Sequence, residues 1–240
     1  MDRPCLPGLN RLTVLLTLVF ALWTGAIGCA GANPQKTAPP SKPPMTRYLA
    51  LGDSYTIGES VAESERFPVQ LVARLKKDGH DLGAPWIIAR TGWTTDELDA
   101  AITAAGPTGP FDLVTLLIGV NNQYRKRDAE QYRGEFRALL KRAVGFAGGD
   151  PSRVIVVSIP DWCVTPFAKE GGRANEGGEI DRYNRVNREE TEAAHAKYID
   201  ITPISREAVN DPALLAEDGL HPSGKMYGRW VELIVPAVKK

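Results

Sequence analysis

Ser54, Asp218 and His221 are the residues of this 240-residue chain whose types and spacing suit nucleophilic catalysis. Ser54 follows the apolar run Tyr48–Leu51, which stops at Gly52. A short apolar run bounded by a turn residue predicts a buried strand, so the hydroxyl falls just past a strand's carboxyl end, where open parallel sheets bind ligands. Gly52 and Gly58 flank it and allow close backbone approach. An ordinary helix N-cap serine is the alternative. A serine hydroxyl needs a base within hydrogen-bond reach, and an imidazole suits that task near neutral pH. Asp218 stands three residues before His221, and a carboxylate on the second ring nitrogen sets the tautomer and stabilises the imidazolium. Asp, Gly and Pro in this stretch also fit a plain loop capping the last helix. Of the other two histidines, His80 reads as a surface turn and His195 as a solvated position on a charged helix.

Other chemistries lack their patterns. The residue two after Ser54 is Thr56, so there is no G-x-S-x-G elbow. Neither a Walker A loop nor HExxH occurs. The three cysteines, Cys5, Cys29 and Cys163, form no CxxC pair, and Cys163 reads as a buried or partly buried thiol. The site as read needs no metal or organic cofactor. Lys plus Arg and Asp plus Glu both number 29, so no overall basic excess favours nucleic acid. The cluster Arg125-Lys126-Arg127 reads as a solvated loop or helix start.

The elements that must position these residues alternate. Strands are expected at 47–53, 86–89, 113–118, 153–159 and 198–201. Between them lie helices opened by Phe67-Pro68 and ended by Gly79, capped by Thr94 or Thr95, and spanning 128–146 and 179–197. Tyr132, Phe136, Leu139, Leu140 and Ala143 give the third of these an apolar face. A long Gly-rich excursion occupies 161–178. A last helix starts near Ser223 and is expected to bury Trp230, Leu233 and Ile234. Such alternation predicts a parallel sheet covered on both faces, a three-layer α/β/α sandwich.

Upstream, Arg3 and Arg11 precede the apolar stretch Leu12–Trp23, too short to span a membrane comfortably. Gly25, Ala26, Ile27, Gly28 and Cys29 follow and resemble a bacterial lipobox. The expectation is a lipoprotein-type signal over 1–29 with lipidation at Cys29, placing the protein at the bacterial cell envelope on a lipid anchor. Secretory cleavage near Ala30 or Ala32, giving a secreted or periplasmic protein, and an uncleaved anchor are the alternatives. Residues 30–45, with Pro34, Pro39, Pro40, Pro43 and Pro44, read as a semi-rigid linker. The folded domain is expected over 46–240.

Gly52-Asp53-Ser54, Thr91-Gly92-Trp93, Gly119-Val120-Asn121-Asn122 and Asp218–His221 occur in the order of four conserved blocks, and the chain resembles the SGNH, or GDSL-type, hydrolases. The resemblance implies a five-stranded parallel sheet in the flavodoxin-like order 2-1-3-4-5. It also implies a Ser54–His221–Asp218 triad, and an oxyanion hole from the backbone N–H of Ser54, the backbone N–H of Gly92 and the side-chain amide of Asn121. Read as residues alone, Gly92 also fits a tight turn and Asn121 a loop or cap. Asn122 departs from the aspartate common at its place. The implied activity is hydrolysis of small-molecule, lipid or glycan esters: acyl esters, lysophospholipid-like lipids or acetylated carbohydrate. Trp93, Tyr124 and Trp162 would line the pocket or fill core. The rival reading is a non-catalytic glycan- or lipid-binding surface lipoprotein on the same fold.

Overall fold

The structure is a computed structural model that describes residues 46–239. The expected leader with Cys29 and the expected linker lie outside the described residues.

Five strands, β1 (Thr46–Gly52), β2 (Leu82–Ala89), β3 (Leu113–Leu117), β4 (Val154–Val157) and β5 (Lys197–Ile199), pair in parallel in the order β2-β1-β3-β4-β5. The helices are α1 (Ser54–Ile57), α2 (Phe67–Lys77), α3 (Thr95–Ala105), α4 (Val120–Tyr124), α5 (Ala129–Phe146), α6 (Pro166–Glu170), α7 (Gly177–Ala193), α8 (Thr202–Arg206) and α9 (Gly224–Val238). This is the three-layer arrangement the alternation predicts.

Helices cover both faces of the sheet, so β3 and β4 are buried along their whole length; β4 reads as an unbroken apolar run, and β3 is apolar but for Thr115, whose hydroxyl is bonded to the Tyr48 hydroxyl at 2.9 Å. α2 packs on α9 through Phe67, Tyr227 and Trp230. α5 buries Tyr132, Phe136, Leu139, Leu140 and Ala143 and packs against α3 and α7. Its start is set by Asp128, whose Oδ1 accepts from the N–H groups of Glu130 and Gln131 at 3.0 and 2.9 Å. Thr94 caps α3 in a capping box with Glu97.

Register positions the site. Gly52 pairs with Ala89 on one side and Leu117 on the other. The three strands therefore end level, and the loops that follow them emerge side by side at one sheet edge. β1 lies between β2 and β3, so that edge is where the strand order reverses, the usual crevice of open α/β sheets.

Several boundaries differ from expectation. β2 begins at Leu82 rather than 86, because Gly83 and Pro85 mask a strand that runs at the sheet edge, where a missing N–H is tolerated. The excursion at 161–178 is partly ordered by a 3₁₀ turn at Trp162–Val164 and by α6. α7 stops at Ala193, which puts Lys197 in β5 and leaves exposed His195 beyond the helix at φ +58°. On α9 the buried stripe is Met226, Tyr227, Trp230, Val231, Ile234 and Val235; Leu233 lies off it and is 43% exposed.

Candidate active site

Ser54 opens α1, and the N-cap is Asp53, not the serine. Asp53 Oδ1 accepts from the Tyr55 N–H at 3.0 Å. The Ser54 hydroxyl is therefore not used as a cap. The first N–H of a helix has no partner within it, which leaves the Ser54 N–H free of intrahelical bonding.

Asp53 is fully buried, and burial pushes its carboxyl up to about 8. Its Oδ2 has no hydrogen-bond partner. A folded-state value above the unfolded one, about 3.9, stabilises the fold below that unfolded value and loses the contribution as pH rises through about 8. Stability should fall across this window by at most about 1.4 kcal/mol per pH unit. Asp53→Asn should flatten that dependence, read as Tm from pH 5 to 9 at about half-unit steps; an unchanged slope would assign it to another group.

The second element is the Arg90–Trp93 turn, closed by the Trp93 N–H on the Arg90 carbonyl at 3.2 Å. Gly92 sits in it at φ +85°. A Cβ there would meet only Arg125 Nη2 at 3.8 Å, so the left-handed backbone, not crowding, demands glycine. Arg125 Nη2 donates to the Gly92 carbonyl at 2.7 Å, and its guanidinium pairs with Glu97 at 3.3 Å. Arg127 pairs with Asp96 at 2.6 Å. The basic cluster is solvent-facing as read, with Arg125 and Lys126 exposed, while Arg125 and Arg127 also tie the end of α4 to the Gly92 turn and the start of α3.

The third element is α4, entered through Gly119 at φ +123°. A side chain at 119 would collide with the Tyr132 hydroxyl, which donates to the Ile118 carbonyl at 3.1 Å. Asn121 Nδ2 donates to the Trp93 carbonyl at 2.9 Å, with a second N–H remaining. Asn122 points away. It is fully buried, its Oδ1 accepts from the Thr95 N–H at 3.1 Å, and its Nδ2 donates to Thr95 Oγ1 at 2.6 Å.

The fourth element is the loop before α9. It is pinned by an antiparallel bridge between Leu215 and Pro222 and by the Ala216 N–H on the His221 carbonyl at 2.8 Å. Inside it, His221 Nδ1 donates to Asp218 Oδ2 at 2.6 Å. Asp218 Oδ1 accepts from the N–H groups of Leu220 and His221, both at 2.9 Å. Partial burial raises the Asp218 carboxyl, but bonds from Ser60, His221 and the two N–H groups outweigh it and hold it at about 2. The Tyr55 ring lies 5.3 Å from the imidazole, centroid to centroid.

Ser54, Gly92, Asn121 and His221 converge on one cavity of about 230 Å³, with Thr91 and Tyr55 beside them. Its remaining wall is Val120, Tyr124, Trp162, Phe167 and Leu220. Among the described residues no hydrogen bond joins Ser54 Oγ to the His221 ring; such contacts often tighten only around bound substrate. Tyr124 and Trp162 meet edge-on at 5.2 Å, and Trp162 Nε1 donates to Gln123 Oε1 at 2.9 Å. Arg173 stacks on both rings. Trp93 packs on the core instead. Phe167 and Leu220 carried no sequence signal as pocket residues. Cys163 is buried, and burial together with Asp161 pushes its thiol up to about 12, which makes it unreactive. Among the described residues no group of three or more His, Cys, Asp or Glu side chains is placed to hold a metal ion.

A parallel sheet ordered 2-1-3-4-5 between two helical layers, with the cavity at its carboxyl edge, is the SGNH hydrolase fold. The chain belongs to the GDSL-like Lipase/Acylhydrolase family, matched over residues 50–229, and is a carboxylic ester hydrolase. It is similar to the crystal structure of TesA, at 19% identity and TM-score 0.62 over 81% of this chain and 98% of TesA. It is also similar to the lipase/acylhydrolase from Enterococcus faecalis, at 22% identity and TM-score 0.59 over 81% of this chain and 96% of the other. Axe2, an acetylxylan esterase from Geobacillus stearothermophilus, aligns at 18% identity and TM-score 0.58 over 81% of this chain and 94% of its own. At these identities the likeness is one of fold. No curated protein matches the sequence.

Proposed function

We propose that the protein is a serine esterase for short-acyl carboxylic esters, with Ser54 as nucleophile, His221 as general base and Asp218 as its orienting carboxylate. The observation that carries this reading is the 2.6 Å Asp218–His221 bond beside the cavity that Ser54 also lines. A module that only binds ligand has no use for such a pair.

In this reading Ser54 Oγ attacks the ester carbonyl carbon while His221 Nε2 takes the hydroxyl proton. The carbonyl oxygen becomes an oxyanion facing the N–H groups of Ser54 and Gly92 and the free N–H of Asn121. The intermediate collapses, the bond to the alcohol oxygen breaks, and His221 gives its proton to that oxygen. The acyl group stays on Ser54 until a water, deprotonated by His221, attacks its carbonyl carbon; the bond to Ser54 Oγ then breaks, Oγ takes the proton back from His221, and the acid leaves.

Size favours a short acyl group. The cavity of about 230 Å³ is smaller than the ~300–1,000 Å³ of drug-sized sites. Tyr124 and Phe167, each 41% exposed, give its rim an apolar platform for the alcohol part, whether an aryl group or the face of a sugar. The test is a series of p-nitrophenyl esters from acetate to palmitate, run with an acetylated sugar and a lysophospholipid. kcat/KM should fall about tenfold or more from butyrate to palmitate. Highest activity on palmitate or lysophospholipid would overturn the short-acyl reading.

A further inference from the structure

The turn after α1 reaches both halves of the site. Glu59 accepts a hydrogen bond from Thr91 Oγ1, next to Gly92. The adjacent Ser60 donates from Oγ to Asp218 Oδ2 at 2.7 Å. Ser60 holds φ +63°, a left-handed conformation that glycine, asparagine or aspartate adopts far more readily than serine. Strain of this kind persists where the surrounding structure uses it. Asp218 Oδ2 is the same oxygen that accepts from His221 Nδ1, and the N–H donors on Oδ1 come from Asp218's own loop. Ser60 thus brings the chain that carries Ser54 onto the carboxylate that orients His221.

We infer that Ser60 is a positioning residue for the Asp218–His221 pair, its hydroxyl holding Asp218 Oδ2 in line with the imidazole. This rests on the reading of His221 as the base. Two effects follow. Without the hydroxyl the carboxylate is held on that oxygen by His221 alone, so the ring is less firmly aimed. A mobile water in its place would carry an entropic cost that the built-in hydroxyl avoids. The positive end of the Ser60 O–H dipole also faces Oδ2 and withdraws part of the field that the carboxylate exerts on the imidazolium. Removing it strengthens that field at the imidazolium. Of the other ionisable side chains, Tyr55 packs against the imidazole, and Tyr55 and Tyr227 both feel the Asp218 charge; Asp53 acts on both tyrosines, Glu59 on Tyr227, and Asp161 and Cys163 on Tyr55.

The experiment is the pH profile of kcat/KM on p-nitrophenyl acetate for the wild type, Ser60→Ala and Ser60→Gly, with Ser54→Ala beside them. Both Ser60 variants should move the acid limb up by about half to one pH unit. They should lower the plateau about 3- to 10-fold with KM nearly unchanged. Glycine relieves the left-handed backbone and alanine does not, so Ser60→Gly should melt higher than Ser60→Ala while showing the same limb shift. That separates the hydroxyl from the backbone, and Ser60→Gly carries the test if Ser60→Ala folds poorly. Acid limbs within about 0.2 unit of wild type, with Ser54→Ala inactive, would overturn the role of Ser60 alone. Activity surviving in Ser54→Ala would overturn the site reading beneath it.

Discussion

Ser54→Ala is expected to lower kcat/KM by about 10³- to 10⁶-fold, because nucleophile and base act as a unit. Melting temperature should stay close to wild type. The structure gives the reason: Asp53, not Ser54, caps α1, so the serine hydroxyl contributes no cap bond to the fold. His221→Ala should fall in the same range. Asp218→Asn should cost less, because an amide oxygen still accepts from the Leu220 and His221 N–H groups that shape the loop. A fluorophosphonate probe gives the matching covalent readout, with labelling of the wild type lost in Ser54→Ala. Labelling or turnover near wild type in Ser54→Ala would remove Ser54 as nucleophile.

Asn121→Ala should lower kcat by about 10²- to 10³-fold, equivalent to about 2.7–4 kcal/mol. KM should change little, since the donor matters most once charge has developed on the carbonyl oxygen. One Asn121 N–H is already held by the Trp93 carbonyl at 2.9 Å, which aims the other and preorganises it. The neighbouring asparagine supplies the contrast. Asn122 is buried and spans α4 and the start of α3 through Thr95. Its replacement by alanine leaves the buried Thr95 N–H unpaired and should cost about 1–3 kcal/mol of stability, with a much smaller loss of kcat in the fraction that stays folded. Steady-state kinetics and thermal melts on both variants separate the roles. A large kcat loss in Asn122→Ala with Asn121→Ala intact would move the oxyanion donor by one residue.

Much of the site was legible in the chain because its parts are local. A strand that stops at Gly52 before Ser54, a carboxylate three residues from an imidazole, and a glycine and an asparagine after later strands are short-range patterns. They survive folding because each sits in a turn whose geometry neighbouring residues impose. Strand alternation likewise pointed to the layers, since covering both faces of a sheet leaves β3 and β4 almost wholly apolar, Thr115 being the exception. What misled was also local. Gly83 and Pro85 hid the start of an edge strand, and the apolar Leu233 falls beside the buried stripe of α9.

The tertiary structure decided whatever depends on partners far apart in sequence. Arg125 and Arg127 read only as surface charge until their partners appear, Gly92 in the turn after β2 and Asp96 and Glu97 in the first turn of α3. Asn122 is a departure from a pattern until Thr95 shows what it holds. Phe167 joins the cavity wall because the excursion after β4 packs it on Trp162, which in turn meets Tyr124 of α4. Ser60 and Asp218 lie at opposite ends of the domain and meet at 2.7 Å. Types and short spacings in the sequence determine which groups exist and what chemistry they could perform. Level strand ends and loop packing, set by register and long-range burial, determine which of them face the same cavity.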